Sequence, residues 1–177
     1  YPVEHIDFDS QGNIFLGTIN GVYRSTDLGE SWQKMNSGLG GMHVSTMYVD
    51  EHDHLYVYTT YSTTTDGLYY STDSAGSWTN IPLTGPFYYV LDMVVRNQVI
   101  YAMNSLSDFF ISTNMGENWV SSNTGISDNS LYSLHLDMND YIYVGGRYLH
   151  RSSQDISGNT TGDLNLDGII NILDVIT

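Results

Sequence analysis

Between residues 1 and 155 the apolar positions recur with strand periodicity, and the 3.6-residue repeat of an amphipathic helix is absent. Short runs rich in Val, Ile, Tyr and Phe, bounded by Gly, Asn, Asp or Ser, follow one another in sets of three. The first set covers 6–9, 13–18 and 21–25, the second 47–50, 55–60 and 67–71. The third covers 91–94, 99–104 and 108–112, and the fourth 134–137, 141–145 and 148–152. After each of the first three sets comes a polar box that ends in Trp, and a further strand is expected beyond each Trp.

The boxes are Ser25-Thr26-Asp27-Leu28-Gly29-Glu30-Ser31-Trp32, Ser71-Thr72-Asp73-Ser74-Ala75-Gly76-Ser77-Trp78 and Ser112-Thr113-Asn114-Met115-Gly116-Glu117-Asn118-Trp119, opening 46 and 41 residues apart. A fourth copy is visible in Tyr148 to Ser153, which resembles residues 21–26 but leads to no Trp. Four antiparallel strands per unit of this length is the arithmetic of a β-propeller blade. The expected fold is therefore all-β: four-stranded antiparallel propeller blades within residues 1–158, at about 3–34, 44–83, 88–121 and 131–155, the last without its fourth strand.

The box chemistry suits a turn. An Asp or Asn side chain satisfies backbone N–H groups, Gly accepts unusual dihedrals, and Trp packs beneath the hairpin. Ser25, Asp27, Gly29 and Trp32 thus read as structural, as do Ser71, Asp73, Gly76 and Trp78, and Ser112, Asn114, Gly116 and Trp119. The same holds for Asp9, Asp50 and Asp137, which recur five residues before Ile14, Leu55 and Ile142.

These boxes resemble the Asp-box, or bacterial neuraminidase repeat, with the pattern Ser-x-Asp-x-Gly-x-Thr-Trp. Two departures are Ala75 before a shifted Gly76, and Asn114 in the Asp position. The resemblance covers about residues 3–153 and implies a propeller related to sialidases, xyloglucan-cleaving glycosidases, sortilin-type receptors or a photosystem assembly factor. Because rings of this family have more blades, a chain of three full blades and a partial one is expected to belong to a longer protein or to self-associate.

Beyond Thr161 the pattern changes to Asp163-Leu164-Asn165-Leu166-Asp167-Gly168-Ile169-Ile170-Asn171-Ile172-Leu173-Asp174. Oxygen ligands fall at loop positions 1, 3, 5, 9 and 12, with Gly at position 6, as in an EF-hand calcium loop. Residues 159–177 resemble the first half of a dockerin, and a helix start is expected after the loop. By that resemblance the calcium ligands are the side chains of Asp163, Asn165, Asp167, Asn171 and Asp174 and the carbonyl of Ile169. The partner implied is a cohesin, if the complete dockerin exists, although Ile172 and Leu173 replace the small polar residues common in cohesin-binding dockerins.

Composition narrows the function. Five Lys and Arg against 20 Asp and Glu leave a net charge of −15, which argues against nucleic acid and against an anionic membrane surface. A hydrophobic content of 41% with 15 Tyr is that of a chain that buries a core. With no Cys there is neither a disulfide nor a thiol nucleophile. Sialidases hold the substrate carboxylate with three arginines; here Arg24, Arg96, Arg147 and Arg151 are the whole supply, and Arg24 and Arg151 are repeat equivalents.

In an antiparallel blade the 1–2 and 3–4 turns share one end and the remaining connections share the other. The boxes occupy the first end, so the variable loops gather at the second, where function-bearing loops are expected. They carry His43, Tyr61, Asp66, Phe87, Tyr88, Tyr89, Asp108, Asp128, Tyr132 and Arg147. Tyr61, Tyr88, Tyr89, Tyr132 and Arg147 are the substrate-binding candidates, because rings stack on sugar faces.

Asp7, Tyr48, Asp92 and His135 form a repeat-breaking column on the innermost strands if the third hairpin is one residue short, which makes Asp7 and Asp92 the candidates for a paired-carboxylate catalytic site. Glu51-His52-Asp53-His54 invites a metal reading, but it lies in a 1–2 hairpin on the structural end. The function expected is a secreted, extracellular bacterial propeller that recognises or degrades glycans, if an enzyme then a glycoside hydrolase, with a calcium-binding attachment tail. The alternative is a non-catalytic protein-interaction propeller.

Overall fold

The structure, a computed structural model, describes residues 2–60, 66–83, 89–123 and 130–152, together with the backbone of 172–174. All its regular structure is β. Sheet 1 contains β1 (Val3–Phe8), β2 (Ile14–Thr18), β3 (Gly21–Ser25) and β4 (Gln33–Lys34). Sheet 2 contains β5 (His43–Val49), β6 (Leu55–Thr60), β7 (Gly67–Ser71) and β8 (Thr79–Ile81). Sheet 3 contains β9 (Val90–Arg96), β10 (Val99–Asn104), β11 (Phe109–Ser112) and β12 (Val120–Ser121). Sheet 4 contains β13 (Ser133–Leu136), β14 (Ile142–Gly145), β15 (Leu149–Ser152) and β16 (Ile172–Asp174). Each sheet is an antiparallel meander in chain order, which is the blade of a β-propeller.

One detail differs from expectation. Sheet 4 is not short of its last strand: β16 pairs with β15, placing Ser152 opposite Ile172 and His150 opposite Asp174. The segment expected to begin a helix is extended there, and it covers a β15 edge that would otherwise present unpaired backbone groups.

The chain forms two compact units, residues 1–83 with sheets 1 and 2 and residues 84–177 with sheets 3 and 4. In the first unit, alternation gives β2 and β3 two faces. Phe15 and Val22 look toward sheet 2 and join Met35, Leu39, Val44, Met47, Leu55, Val57, Tyr69, Ala75 and Trp78 in one buried apolar cluster, with Gly17 close against Val44. Each large side chain buried there contributes roughly 1.5–3 kcal/mol.

Polar groups fix the alignment of the two sheets. The Trp78 indole donates to the Met35 carbonyl at 2.8 Å, the Trp78 amide donates to the Ser37 carbonyl at 2.9 Å, and Arg24 donates to the Ser74 carbonyl at 2.9 Å. In the second unit, Tyr101 stacks on Phe109 and the Arg96 guanidinium lies 2.7 Å from the Asp140 carboxylate.

Hairpin chemistry is equally repetitive. Asp9 Oδ1 accepts the amides of Gln11 and Asn13, Asp50 Oδ1 those of His52 and His54, and Asp137 Oδ1 those of Asn139 and Tyr141. Asn104 Oδ1 repeats the device with Leu106 and Asp108 in the β10–β11 connection. The residue three places on is left-handed in all four turns: Gly12, Asp53, Ser107 and Asp140. The β9–β10 hairpin is built otherwise, on Asn97 and Gln98, both at positive φ, the tight hairpin turn suited to strand twist.

At Gly17 sheet 1 approaches sheet 2 closely: a Cβ there would stand 2.8 Å from Val44 Cγ1. Gly17→Val is therefore expected to lower unfolding stability by roughly 1–3 kcal/mol in urea titrations, as over-packing does. At Gly12, where nothing lies within 4 Å, Gly→Ala meets only the left-handed backbone cost, about 1 kcal/mol. Equal losses at the two sites would count against a close-packed sheet interface.

Candidate functional site

The boxes are closed hydrogen-bonded loops. In the first, Ser25 Oγ donates to Asp27 Oδ1 at 2.8 Å and accepts the Gly29 amide at 2.9 Å, while Asp27 accepts the amide and hydroxyl of Ser31 at 2.9 and 2.6 Å. In the second, Ser71 and Asp73 make the same bonds to Ala75 and Ser77. In the third, Asn114 Oδ1 accepts the Asn118 amide at 2.9 Å and the Ser112 hydroxyl at 3.1 Å.

The second box corrects one structural assignment. Its glycine position is taken by Ala75, not Gly76: Ala75 supplies the amide that Ser71 accepts and stands at φ 66°, as Gly29 stands at 91° and Gly116 at 83°. The left-handed cost is offset because the Ala75 methyl is fully buried in the cluster facing sheet 1. The gapless alignment of the boxes already sets Ala75 opposite Gly29 and Gly116, so only the choice of Gly76 as the structural residue is revised.

The acid residues named as a catalytic pair do something else. Asp7 Oδ1 accepts the amide of Phe8, and Oδ2 reaches across to the amide of Val49 on β5 at 2.8 Å. Asp92 Oδ1 accepts the amide of Met93, and Oδ2 reaches the amide of Leu134 on β13 at 2.7 Å. Each therefore ties the inner strand of one sheet to that of the next. The register also separates them: Asp7 pairs with Phe15 and Tyr48 with Tyr56, but the matching residue of the third sheet is Val94, opposite Tyr101, two places beyond Asp92. The shorter third hairpin had been anticipated, but the offset it causes had not. Half-burial raises the Asp7 carboxyl above its ordinary value, against the two amide bonds and nearby His5, which lower it.

At the variable-loop end, Tyr61, Phe87, Tyr88 and Asp128 lie outside the described residues, as do residues 163–171 of the calcium loop. Tyr89 is half-buried and its carbonyl accepts the Ser105 amide, which sets the entry to β9 beside the β10–β11 turn. The Tyr132 amide donates to the Gly145 carbonyl at 2.8 Å, so Tyr132 sits at the end of sheet 4 that carries the β14–β15 turn. Arg147 lies in that turn with its guanidinium 5.7 Å from the Tyr148 ring centroid. Tyr132 is 66% exposed and Tyr148 47%. Tyr148 had been read only as part of the decayed fourth repeat.

A recurrent asparagine was also missed. Asn36 Oδ1 accepts the Val22 amide at 2.9 Å and its Nδ2 donates to the Asn20 carbonyl at 3.0 Å. Asn123 Oδ1 accepts the Phe109 amide at 2.7 Å and its Nδ2 donates to Asp108 at 2.9 Å. Both clamp a 2–3 loop to the chain leaving the blade, and both stand four residues after a box Trp, a spacing visible in the sequence.

His43 pairs with Glu4 at 2.9 Å. In the Glu51-His52-Asp53-His54 turn, His54 lies 3.3 Å from Asp50 and Asp53 accepts the amide and hydroxyl of Ser10 at 2.7 and 2.6 Å. Among the described residues no group of three or more His, Asp or Glu side chains converges as for a metal.

No protein-family model matches the sequence, and no curated protein matches it by sequence. Solved structures do share its fold. An ancestral GH74 enzyme superposes with a TM-score of 0.67 at 22% identity, over 99% of this chain and 24% of that one. The GH74 enzyme of Niastella koreensis gives 0.69 at 17%, over 88% of this chain and 28% of that one. YCF48 from Cyanidioschyzon merolae gives 0.61 at 16%, over 100% of this chain and 59% of that one. The chain thus spans about a quarter of the length of the two GH74 structures. At these identities the likeness is one of fold, and the fold is that of β-propeller blades.

The boxes make acid stability predictable. Hydrogen bonds from Ser31, then Ser25, hold the Asp27 carboxyl down to about 2, and the bonds of Ser77 and Ser71 lower Asp73 likewise. A carboxyl lowered by folding adds stability above its unfolded value of about 3.9 that is lost as pH falls toward the folded one. Thermal melting is thus expected to drop between pH 4 and 2, and the double variant Asp27→Asn, Asp73→Asn to flatten that drop while remaining folded at pH 7, as the natural Asn114 does. An unchanged acid limb would contradict the assignment.

Proposed function

We propose that this chain is a binding segment of an extracellular propeller whose ligand is a neutral polysaccharide. The single observation that carries the reading is the exposed group Tyr132, Arg147 and Tyr148 at the variable-loop end of sheet 4, two rings and one fork of donors on a rigid blade. Exposed tyrosine rings offer flat apolar faces to pyranose rings, and the guanidinium donates to ring or hydroxyl oxygens. Tyr89 stands at the same end of the neighbouring sheet 3; Tyr61 and Tyr88 stay candidates from the sequence alone. Sequence supports the neutral character of the ligand, since four arginines and a net charge of −15 suit an acidic sugar poorly.

Recognition fits better than hydrolysis, because Asp7 and Asp92 are committed to backbone amides of neighbouring sheets. Xyloglucan-like glucans are the substrate class suggested by the resemblance of the boxes to those of xyloglucan-cleaving glycosidases. A second reading, a scaffold for a protein ligand, draws on the same commitment of the two acids and on the fold shared with YCF48.

On an affinity gel carrying a neutral β-glucan the chain is expected to be retarded, Tyr132→Ala or Arg147→Ala to weaken retention about tenfold, and Asp27→Asn to leave it unchanged. Absence of retention across a polysaccharide panel, with a protein captured instead through the same residues, would favour the scaffold reading.

The tail is proposed to bind one calcium ion through Asp163, Asn165, Asp167, Asn171 and Asp174 and the Ile169 carbonyl, the support being ligand spacing and Gly168. The extended backbone at Asp174 departs from the helix that follows such loops, so the fit at the twelfth position is incomplete. Calorimetric titration with calcium is expected to give a single site that Asp163→Ala or Asp167→Ala abolishes; no heat with the parent chain would remove calcium from the account. A cohesin partner depends on that site.

A further inference from the structure

One turn device recurs in four places, and its occupant changes at the loop end. In each turn an Asp or Asn Oδ1 accepts the amides two and four residues on: Asp9 from Gln11 and Asn13, Asp50 from His52 and His54, Asp137 from Asn139 and Tyr141, Asn104 from Leu106 and Asp108. The first three are 1–2 hairpins, and the residue two places on is polar in each: Gln11, His52 and Asn139. The Asn104 turn is the 2–3 connection of sheet 3, and there the same position holds Leu106, 61% exposed. Three polar occupants show that the turn itself requires no apolar side chain.

The turn is tied down on both sides within its own unit. The Ser105 amide donates to the Tyr89 carbonyl at 3.3 Å, and Ser107 Oγ accepts the Leu131 amide at 3.1 Å. Ser107 stands at φ 66°, as Asp53 and Asp140 stand at 63° and 61° in their turns, and those two likewise reach a neighbouring sheet, at Ser10 and Arg96. Leu106 and Tyr132 are each one chain step, about 3.8 Å between Cα atoms, from the two residues of the Ser107–Leu131 bond. Tyr132 is bonded in turn to Gly145, in the connection that carries Arg147 and Tyr148. A lone exposed leucine needs no explanation, but this one is held beside exposed aromatic groups on a braced turn.

We infer that Leu106 is a contact of the loop-end site and that the polysaccharide taken there carries O-acetyl esters. The inference rests on the glycan reading of Tyr132, Arg147 and Tyr148 and adds the substituent to it. A tyrosine ring presents a flat face to the C–H groups of a pyranose. Leucine has neither a flat face nor a hydrogen-bonding group, so what it can take out of water is a compact apolar group. The edge of a bare glucan offers hydroxyls, and pressing a hydroxyl against leucine without a partner is unfavourable. An acetyl ester puts a methyl group where the hydroxyl donor was and leaves the polymer uncharged, in keeping with a protein of net charge −15.

The test is affinity electrophoresis of the full chain in gels carrying one neutral β-glucan, unsubstituted in one gel and lightly O-acetylated in the other. Both should retard the parent chain, the acetylated polymer about fourfold more strongly, the equivalent of about 0.8 kcal/mol for one buried methyl group. Leu106→Ala should lose that preference and keep its retention on the unsubstituted glucan, which also shows that the variant is folded. Leu106→Met should keep the preference. Tyr132→Ala should weaken retention on both polymers and leave their ratio unchanged. Equal retention of the parent chain on the two gels, or a preference that survives Leu106→Ala, overturns the role of Leu106 and leaves the glycan reading standing. Retention on neither gel, with a protein captured through Leu106 or without one, overturns both.

Discussion

Face-to-face burial between consecutive sheets is the constraint on which everything else in this protein rests. A four-stranded meander of strands this short has two faces and too little interior to hold itself together, so a sheet must lay a face on a neighbour. In residues 1–83 the consequence is explicit: one apolar cluster runs from Phe15 and Val22 through Leu55 and Val57 to Trp78. The close approach at Gly17, the left-handed Ala75 and the indole bond to Met35 are all adjustments to that contact.

Once stacking decides where the apolar residues go, the polar ones are left to finish the strand ends. Serine, aspartate and asparagine close the boxes, four Asx turns close other connections, and two asparagines clamp the loop end. Much of the chain's negative charge is therefore spent on turning the backbone, where a carboxylate accepts two or more N–H or O–H bonds. That placement keeps Asp27, Asp53, Asp73 and Asp137 ionised well into acid, because each charged form is hydrogen-bonded. It also leaves the loop end poor in cations, with Arg147 prominent among the exposed groups there.

The blade pattern was legible in the sequence because strand alternation and box spacing are local properties. Strand limits such as Gly21–Ser25 and Gly67–Ser71 match the structure for that reason. What escaped depends on tertiary neighbours. Ala75 takes the glycine position because its methyl is buried against the adjoining sheet, which no local pattern announces. Asp92 was aligned with Asp7 because a shortened hairpin was anticipated without the register offset it produces. β16 was unreadable for another reason: Ile172–Asp174 lies inside a calcium-loop pattern, and its pairing with β15 is a long-range choice. Of the loop-end candidates, Tyr132 can be placed beside Gly145 and Arg147 beside Tyr148, a neighbour that only the β14–β15 turn reveals.

The two inner-strand acids bear most on function. Asp7 and Asp92 sit at different registers, yet each bonds the amide after itself and the amide 42 residues onward, on the inner strand of the next sheet. A catalytic carboxylate must have a lone pair aimed at substrate, whereas Asp7 and Asp92 each have both oxygens engaged by backbone amides. The repetition of one bond pattern in two units, one strand step apart, is what a joint between sheets requires and what an acid–base pair does not. Asp7 and Asp92 thus act as joints between inner strands, β1 to β5 and β9 to β13.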